Sequence, residues 1–146
     1  MMQLLSDELQ KAGTGRILLG NKPGSFIFPD EGAEIYLTPV ERTLYLLYLS
    51  HPEGISTDNL VLYWKELCAI YEKESRYDEQ SIREDKMEAL CAETKTTFYV
   101  TVARIKKKLI KAIGPWRADY YAIVRDENGV YKLRAKLCDK AECLAP

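Results

Sequence analysis

Arg104, Lys106, Lys107, Lys108 and Lys111 are the residues whose type and spacing carry the clearest chemistry in this chain. No acidic residue stands between Thr97 and Gly114, so these cations offer charge-assisted hydrogen bonds to phosphate or carboxylate oxygens with no internal competitor nearby. A planar guanidinium can bind the edge of a guanine in two places, whereas an ammonium holds a phosphate as a point charge. That makes Arg104 the candidate base reader and Lys106, Lys107, Lys108 and Lys111 the candidate backbone contacts, with Tyr99 and Thr101 as polar readers or packing residues near the helix start. The competing reading is a solvated lysine-rich face. Successive helical residues rotate by about 100°, so the five cations cannot all face one ligand.

Other chemistries have little support. The four cysteines, Cys68, Cys91, Cys138 and Cys143, contain no CxxC pair, and the single histidine, His51, lies far from them in sequence. Neither a zinc site nor a disulfide framework is expected. No glycine-rich phosphate loop and no nucleophile–base set is apparent, and Glu84, Asp85 and Glu88 read as a solvated helix face. No enzyme activity, catalytic residue, cofactor or metal is expected. The chain has 146 residues, with 21 Lys and Arg against 22 Asp and Glu, so the formal charge of −1 exerts no global pull on polyanions. Any nucleic-acid binding must come from local charge. The start has no secretory pattern and the apolar runs are too short to span a bilayer, so the expected location is cytoplasmic, without a membrane partner.

The cationic residues need a scaffold. Phe98, Val102, Ile105, Leu109 and Ile113 recur at helical steps and predict a helix over residues 97–113, docked by its apolar edge. Gly114 is expected to cap it in the left-handed conformation, with Pro115 forbidding continuation. A hairpin is then expected, with strands 120–125 and 130–134 around Asp126-Glu127-Asn128-Gly129. Tyr120 and Tyr121 would split between its two faces. Upstream, residues 1–15 read as a tail or short helix, and apolar runs at 16–19, 25–28 and 33–37, separated by turn signals, read as an antiparallel meander. Thr38-Pro39-Val40-Glu41 combines an N-cap, a proline at the first helical position and a capping-box glutamate, and predicts a helix over 38–49. Another helix is expected over 56–71, with Ile55 and Leu60 as a hydrophobic staple and Leu60, Trp64, Leu67 and Tyr71 as its apolar stripe. Residues 72–96 form an acidic insertion, within which 81–91 could be a surface helix, and 135–146 are a tail without readable pattern.

In this order the elements resemble the effector domain of OmpR/PhoB-type response regulators. Leu37-Thr38-Pro39-Val40-Glu41 resembles that family's Leu-Thr-Pro-x-Glu helix start. The run from Phe98 to Leu109 is similar, in its second half, to the recognition-helix pattern Val-x-Val-x-Ile-x-Arg-Leu-Arg-Lys-Lys-Leu. Ile123-Val124-Arg125 and Gly129-Val130-Tyr131-Lys132-Leu133 resemble the closing Thr-Val-Arg-Gly-x-Gly-Tyr-x-Leu hairpin. The resemblance covers residues 16–134 and implies an α+β fold: a winged helix-turn-helix with an N-terminal antiparallel β-meander, a three-helix core and a C-terminal β-hairpin wing.

It implies a stand-alone DNA-binding transcriptional regulator, with helix 97–113 in the major groove of double-stranded DNA and hairpin 120–134 as the wing. Arg125, Lys132 and Arg134 would be the wing's cations. Two departures stand out: the connection before the basic helix is longer than the family's, and Asp126 and Glu127 occupy a wing tip that is glycine-rich in the family. With no receiver domain ahead of it, phosphorylation control is not expected in this chain. The other function class is a winged-helix protein–protein interaction module without DNA binding, its partner meeting residues 72–93. A homodimer is compatible with either. An exposed apolar patch beside the insertion would favour the interaction module, and a cationic patch joining helix and wing would favour DNA.

Overall fold

A computed structural model of the chain describes residues 15–22, 24–74 and 80–137, the side chains of residues 80–83 excepted. Residues 1–14 of the expected N-terminal tail or short helix, the tail beyond residue 137, and Cys138 and Cys143 lie outside the described residues. The chain begins with strands β1 (Arg16–Leu19), β2 (Ser25–Phe28) and β3 (Ala33–Tyr36), and these form the expected meander. Leu18 stands opposite Ile27, and Phe26 opposite Ile35. Phe26 and Phe28, two residues apart, put both rings on the face that meets the helices; Phe26 makes an edge contact with Tyr45 at 5.1 Å between centroids, and Phe28 one with Tyr121 at 4.8 Å.

Helix α1 (Pro39–Ser50) begins at the expected motif. The Thr38 hydroxyl accepts from the Glu41 amide, and the Thr38 amide donates to Glu41 Oε1 at 3.0 Å, completing the capping box with Pro39 at the first turn. Leu44, Tyr45, Leu47 and Tyr48 are buried, and the two phenols are satisfied: Tyr45 donates to the Tyr121 carbonyl at 2.7 Å and Tyr48 to the Ile55 carbonyl at 2.9 Å.

Strand β4 (Ile55–Ser56) leads into a 3-10 helix (Thr57–Tyr63) and then α2 (Trp64–Glu74). The expected helix over 56–71 thus starts two turns in a tighter winding. The Ser56 hydroxyl caps it by accepting from the Asn59 amide, and Ile55 and Leu60 are both buried, as a staple requires. At the α1–α2 junction, His51 Nε2 lies 2.9 Å from Glu66 Oε2 and Nδ1 lies 3.1 Å from Glu53 Oε1.

The acidic connection holds helix α3 (Gln80–Cys91), and it is not a surface appendage. Met87 and Leu90 are fully buried, and α3 packs against both α2 and the following helix, α4 (Thr96–Ile113). Its apolar edge is only a few residues wide, which made it look like a solvated helix in sequence. The expected three-helix core is therefore closed by a fourth helix. Helix α4 packs on α1, α3 and β3.

A second correction follows Gly114. Its φ of 87° is paired with an extended ψ of 158°, so it turns the chain without forming a left-handed cap, and Pro115 opens a new helix, α5 (Pro115–Tyr121). Proline lacks the amide that a first-turn residue leaves unpaired anyway, so the residue that stops α4 also starts α5. Tyr120 and Tyr121 therefore belong to a helix, not to hairpin strands. The hairpin is shorter than expected: β5 (Ile123–Arg125) and β6 (Val130–Leu133).

β4 adds to the hairpin, giving a three-stranded sheet in the order β4-β6-β5, with Ile55 opposite Tyr131. Gly54, at φ 92°, precedes this pairing; a Cβ there would lie 2.7 Å from the Tyr131 carbonyl oxygen, so only glycine allows the approach. A last strand, β7 (Lys136–Leu137), was not apparent in sequence and runs parallel to β1, placing four strands in the order β3-β2-β1-β7. No helix among the described residues is long and apolar enough to cross a membrane.

Candidate nucleic-acid interface

Helix α4 separates its residues as its periodicity requires. Phe98, Ile105 and Leu109 are fully buried, while Val100, Arg104, Lys107 and Lys111 form an exposed stripe at steps of four, three and four. At about 1.5 Å of rise per residue, the three cations extend over roughly 10 Å of helix. None of the three has an ion-pair partner among the described residues.

The remaining sequence-selected cations on α4 are engaged. Lys106 pairs with Asp119 of α5 at 3.0 Å. Lys108 Nζ lies 2.5 Å from Glu41 Oε1, a carboxylate with only 5% of its side chain exposed. Lys108 therefore neutralises the buried end of the α1 capping box and is not a free phosphate contact. Of the two roles open to Thr101, reader or packing residue, its burial fits packing, and its hydroxyl donates back to the Thr97 carbonyl at 2.7 Å. Tyr99 is half exposed, and its hydroxyl has no hydrogen-bond partner among the described residues.

The hairpin is held beside the start of α4 by aromatic packing. The Tyr131 ring lies 5.0 Å from that of Phe98 in an edge contact and 6.4 Å from that of Tyr99. Burial and the neighbouring Tyr99 phenol push the Tyr131 hydroxyl above its ordinary value. Arg125 and Arg134 are exposed, whereas Lys132 pairs with Asp126 at 3.2 Å. Asp126 does more than add negative charge at the tip. Its Oδ1 accepts from the Val130 amide at 2.9 Å and the Asn128 amide at 2.8 Å, fixing the loop, and these bonds together with Lys132 hold its carboxyl below the usual carboxylate range. The cations chosen from sequence thus divide into an exposed set, Arg104, Lys107, Lys111, Arg125 and Arg134, and an internally paired set, Lys106, Lys108 and Lys132.

A groove of about 450 Å³ opens beside Arg104, among the start of α1, Tyr71 of α2, α3 and the first turns of α4. Thr38, Pro39, Val40, Glu41, Lys86, Ala89, Thr96, Thr97 and Val100 contribute to its lining. The groove has no signature in the sequence, because its walls come from four elements that only packing brings together. Beside it, α4 starts without a side-chain cap, at Lys95 with a left-handed φ of 59°.

The most exposed large apolar residues lie away from the groove. Leu62 is 77% exposed, next to Val61 on the 3-10 helix that packs against α3, and Trp116 is 71% exposed on α5. No group of three or more His, Cys, Asp and Glu side chains among the described residues could hold a metal ion. Comparison of the chain with protein-family models, curated proteins and solved structures finds no match in any of the three.

Proposed function

We propose that this chain is a cytoplasmic, DNA-binding transcriptional regulator of the winged-helix type, with α4 entering the major groove and the β5–β6 hairpin as its wing. The observation that carries this reading is the exposed, unpaired stripe of Arg104, Lys107 and Lys111 on a helix whose opposite edge is fully docked. Arg104 is the base reader; Lys107 and Lys111 hold phosphates, joined by Arg125 and Arg134 from the hairpin. Lys106, Lys108 and Lys132 are bound to Asp119, Glu41 and Asp126 and contribute little. The aromatic cluster of Phe98, Tyr99 and Tyr131 supports the reading by fixing the angle between helix and wing.

Selection from a random duplex library followed by a salt titration tests it. An enriched motif is expected, with affinity falling steeply as salt rises. Replacing Lys107 and Lys111 by alanine should reduce the slope of log affinity against log salt by about 2, one for each lost phosphate contact. Arg104→Ala should lower preference for the selected site more than nonspecific binding. Undetectable binding at low salt ends the DNA reading.

The second reading is a winged-helix protein–protein interaction module. Val61 and Leu62, exposed beside the acidic connection, are the observation that favours it. A protein partner would then meet the 3-10 helix and α3, and Leu62→Asp would abolish its capture while leaving α4 untouched.

A further inference from the structure

We propose that the groove beside Arg104 binds a small organic oxyanion: a carboxylate or phosphate monoester carried on an apolar ring or chain. At about 450 Å³ the groove falls within the roughly 300–1,000 Å³ typical of small-molecule sites. Pro39, Val40, Ala89, Val100 and the body of Tyr71 give it apolar walls. Arg104 stands on its edge with no ion-pair partner among the described residues, and Lys86 lines the same groove with its Nζ 5.8 Å from the centre of the Tyr71 ring.

Among the described residues that line the groove Glu41 is the one carboxylate, and it is already engaged by Lys108 at 2.5 Å and the Thr38 amide at 3.0 Å. With Glu41 so engaged, the Arg104 guanidinium is left to attract an anion. The Thr96 and Thr97 hydroxyls supply neutral donors on the same wall, and no side chain caps the first turn of α4, so its amide donors are not committed to a cap.

The site does not require DNA binding, but it has a consequence for the function proposed above. Arg104 belongs both to the groove and to the exposed stripe of α4. An oxyanion that holds the guanidinium competes with a base edge for the same donors, so ligand and DNA weaken each other by the same factor. The regulator would thus be released from DNA by a small acidic metabolite.

The test uses the intact chain and two probes, phenyl phosphate and benzoate, followed by calorimetry and by amide shifts of Thr96, Thr97 and Val100. Benzyl alcohol and inorganic phosphate, each lacking one half of the required chemistry, are the comparisons. Saturable binding of at least one probe is expected, with affinity falling on the order of tenfold in Arg104→Gln, the scale of one lost charge-assisted bond. Ala89→Leu, which fills the groove and leaves Arg104 in place, should cause a similar loss. Preference for phenyl phosphate marks a phosphate ester as the ligand class, and preference for benzoate a carboxylate. Absence of saturable binding by both probes, or binding unchanged in Arg104→Gln, overturns the proposal. Binding with DNA affinity unaltered at saturation overturns the competition. Probe binding in a chain that binds no DNA at any salt upholds the groove and removes the regulator reading alone.

Discussion

Lys107 and Lys108 are adjacent in sequence and identical in type, yet they have different roles. Lys107 projects from α4 without a partner among the described residues, while Lys108 closes on a carboxylate that the capping box has already buried. Lys108→Ala leaves Glu41 with an uncompensated charge and should destabilise the fold by about 1–3 kcal/mol in chemical denaturation. Lys107→Ala should leave the denaturation midpoint within experimental scatter and weaken only polyanion binding. Equal midpoints for the two variants would show that the Lys108–Glu41 contact has no net value. The sequence could locate a cationic helix, because an acid-free run is visible locally. It could not sort these cations, because their partners Glu41, Asp119 and Asp126 come from other elements, and only packing brings them within reach.

At the scale of the element, legibility followed the local signals. The helix start at Thr38-Pro39-Val40-Glu41 is specified by a capping motif within four residues, and the structure uses every part of it. Helix α4 was equally readable from its stripe, to within one residue at its start. The misreadings arose where one residue permits two outcomes. Pro115 ends a helix and begins another, and sequence alone does not say which effect prevails. Helix α3 shows the opposite difficulty: Met87 and Leu90 are two apolar residues in an acidic segment, too few for a strong periodicity, yet both are buried. Met87→Ala should therefore cost about 2–5 kcal/mol, the range for a buried large-to-small change, against a few tenths for a solvated helix. A urea midpoint unchanged by that substitution would return α3 to the surface.

For the molecule as a whole, the junction of the helices carries a dependence on pH. Burial alone would lower the His51 pKa, but hydrogen bonds and charge from Glu66 and Glu53 more than offset this and raise it above its ordinary value of about 6.5. A raised folded-state value means that the imidazolium stabilises the fold fully below the unfolded pKa. That contribution disappears as pH rises through the folded value. The denaturation midpoint should accordingly fall as pH rises from the ordinary imidazole value of about 6.5 through the raised folded-state value, and the fall should be smaller in His51→Gln. Raising salt should also reduce it, because the cluster is partly open to solvent. A wild-type midpoint that is flat over this interval would show that the His51 contacts are equally strong in neutral form.

The parallel pairing of β7 with β1 bears on the order in which the chain acquires its structure. Arg16 stands opposite Lys136, and the Lys136 amide donates to the Gly15 carbonyl at 2.9 Å, so residues near opposite ends of the described chain share one ladder. A ribosome releases β1 well before β7, because the whole of the helical region lies between them in sequence. The meander can form its own hairpins early, but its outer edge at β1 stays open until the last described residues emerge. During that interval β1 is an unpaired strand edge carrying Ile17 and Leu19, the kind of surface on which a neighbouring nascent chain can add a strand of its own. Two residues of β7 end that exposure by completing the ladder from within the same molecule.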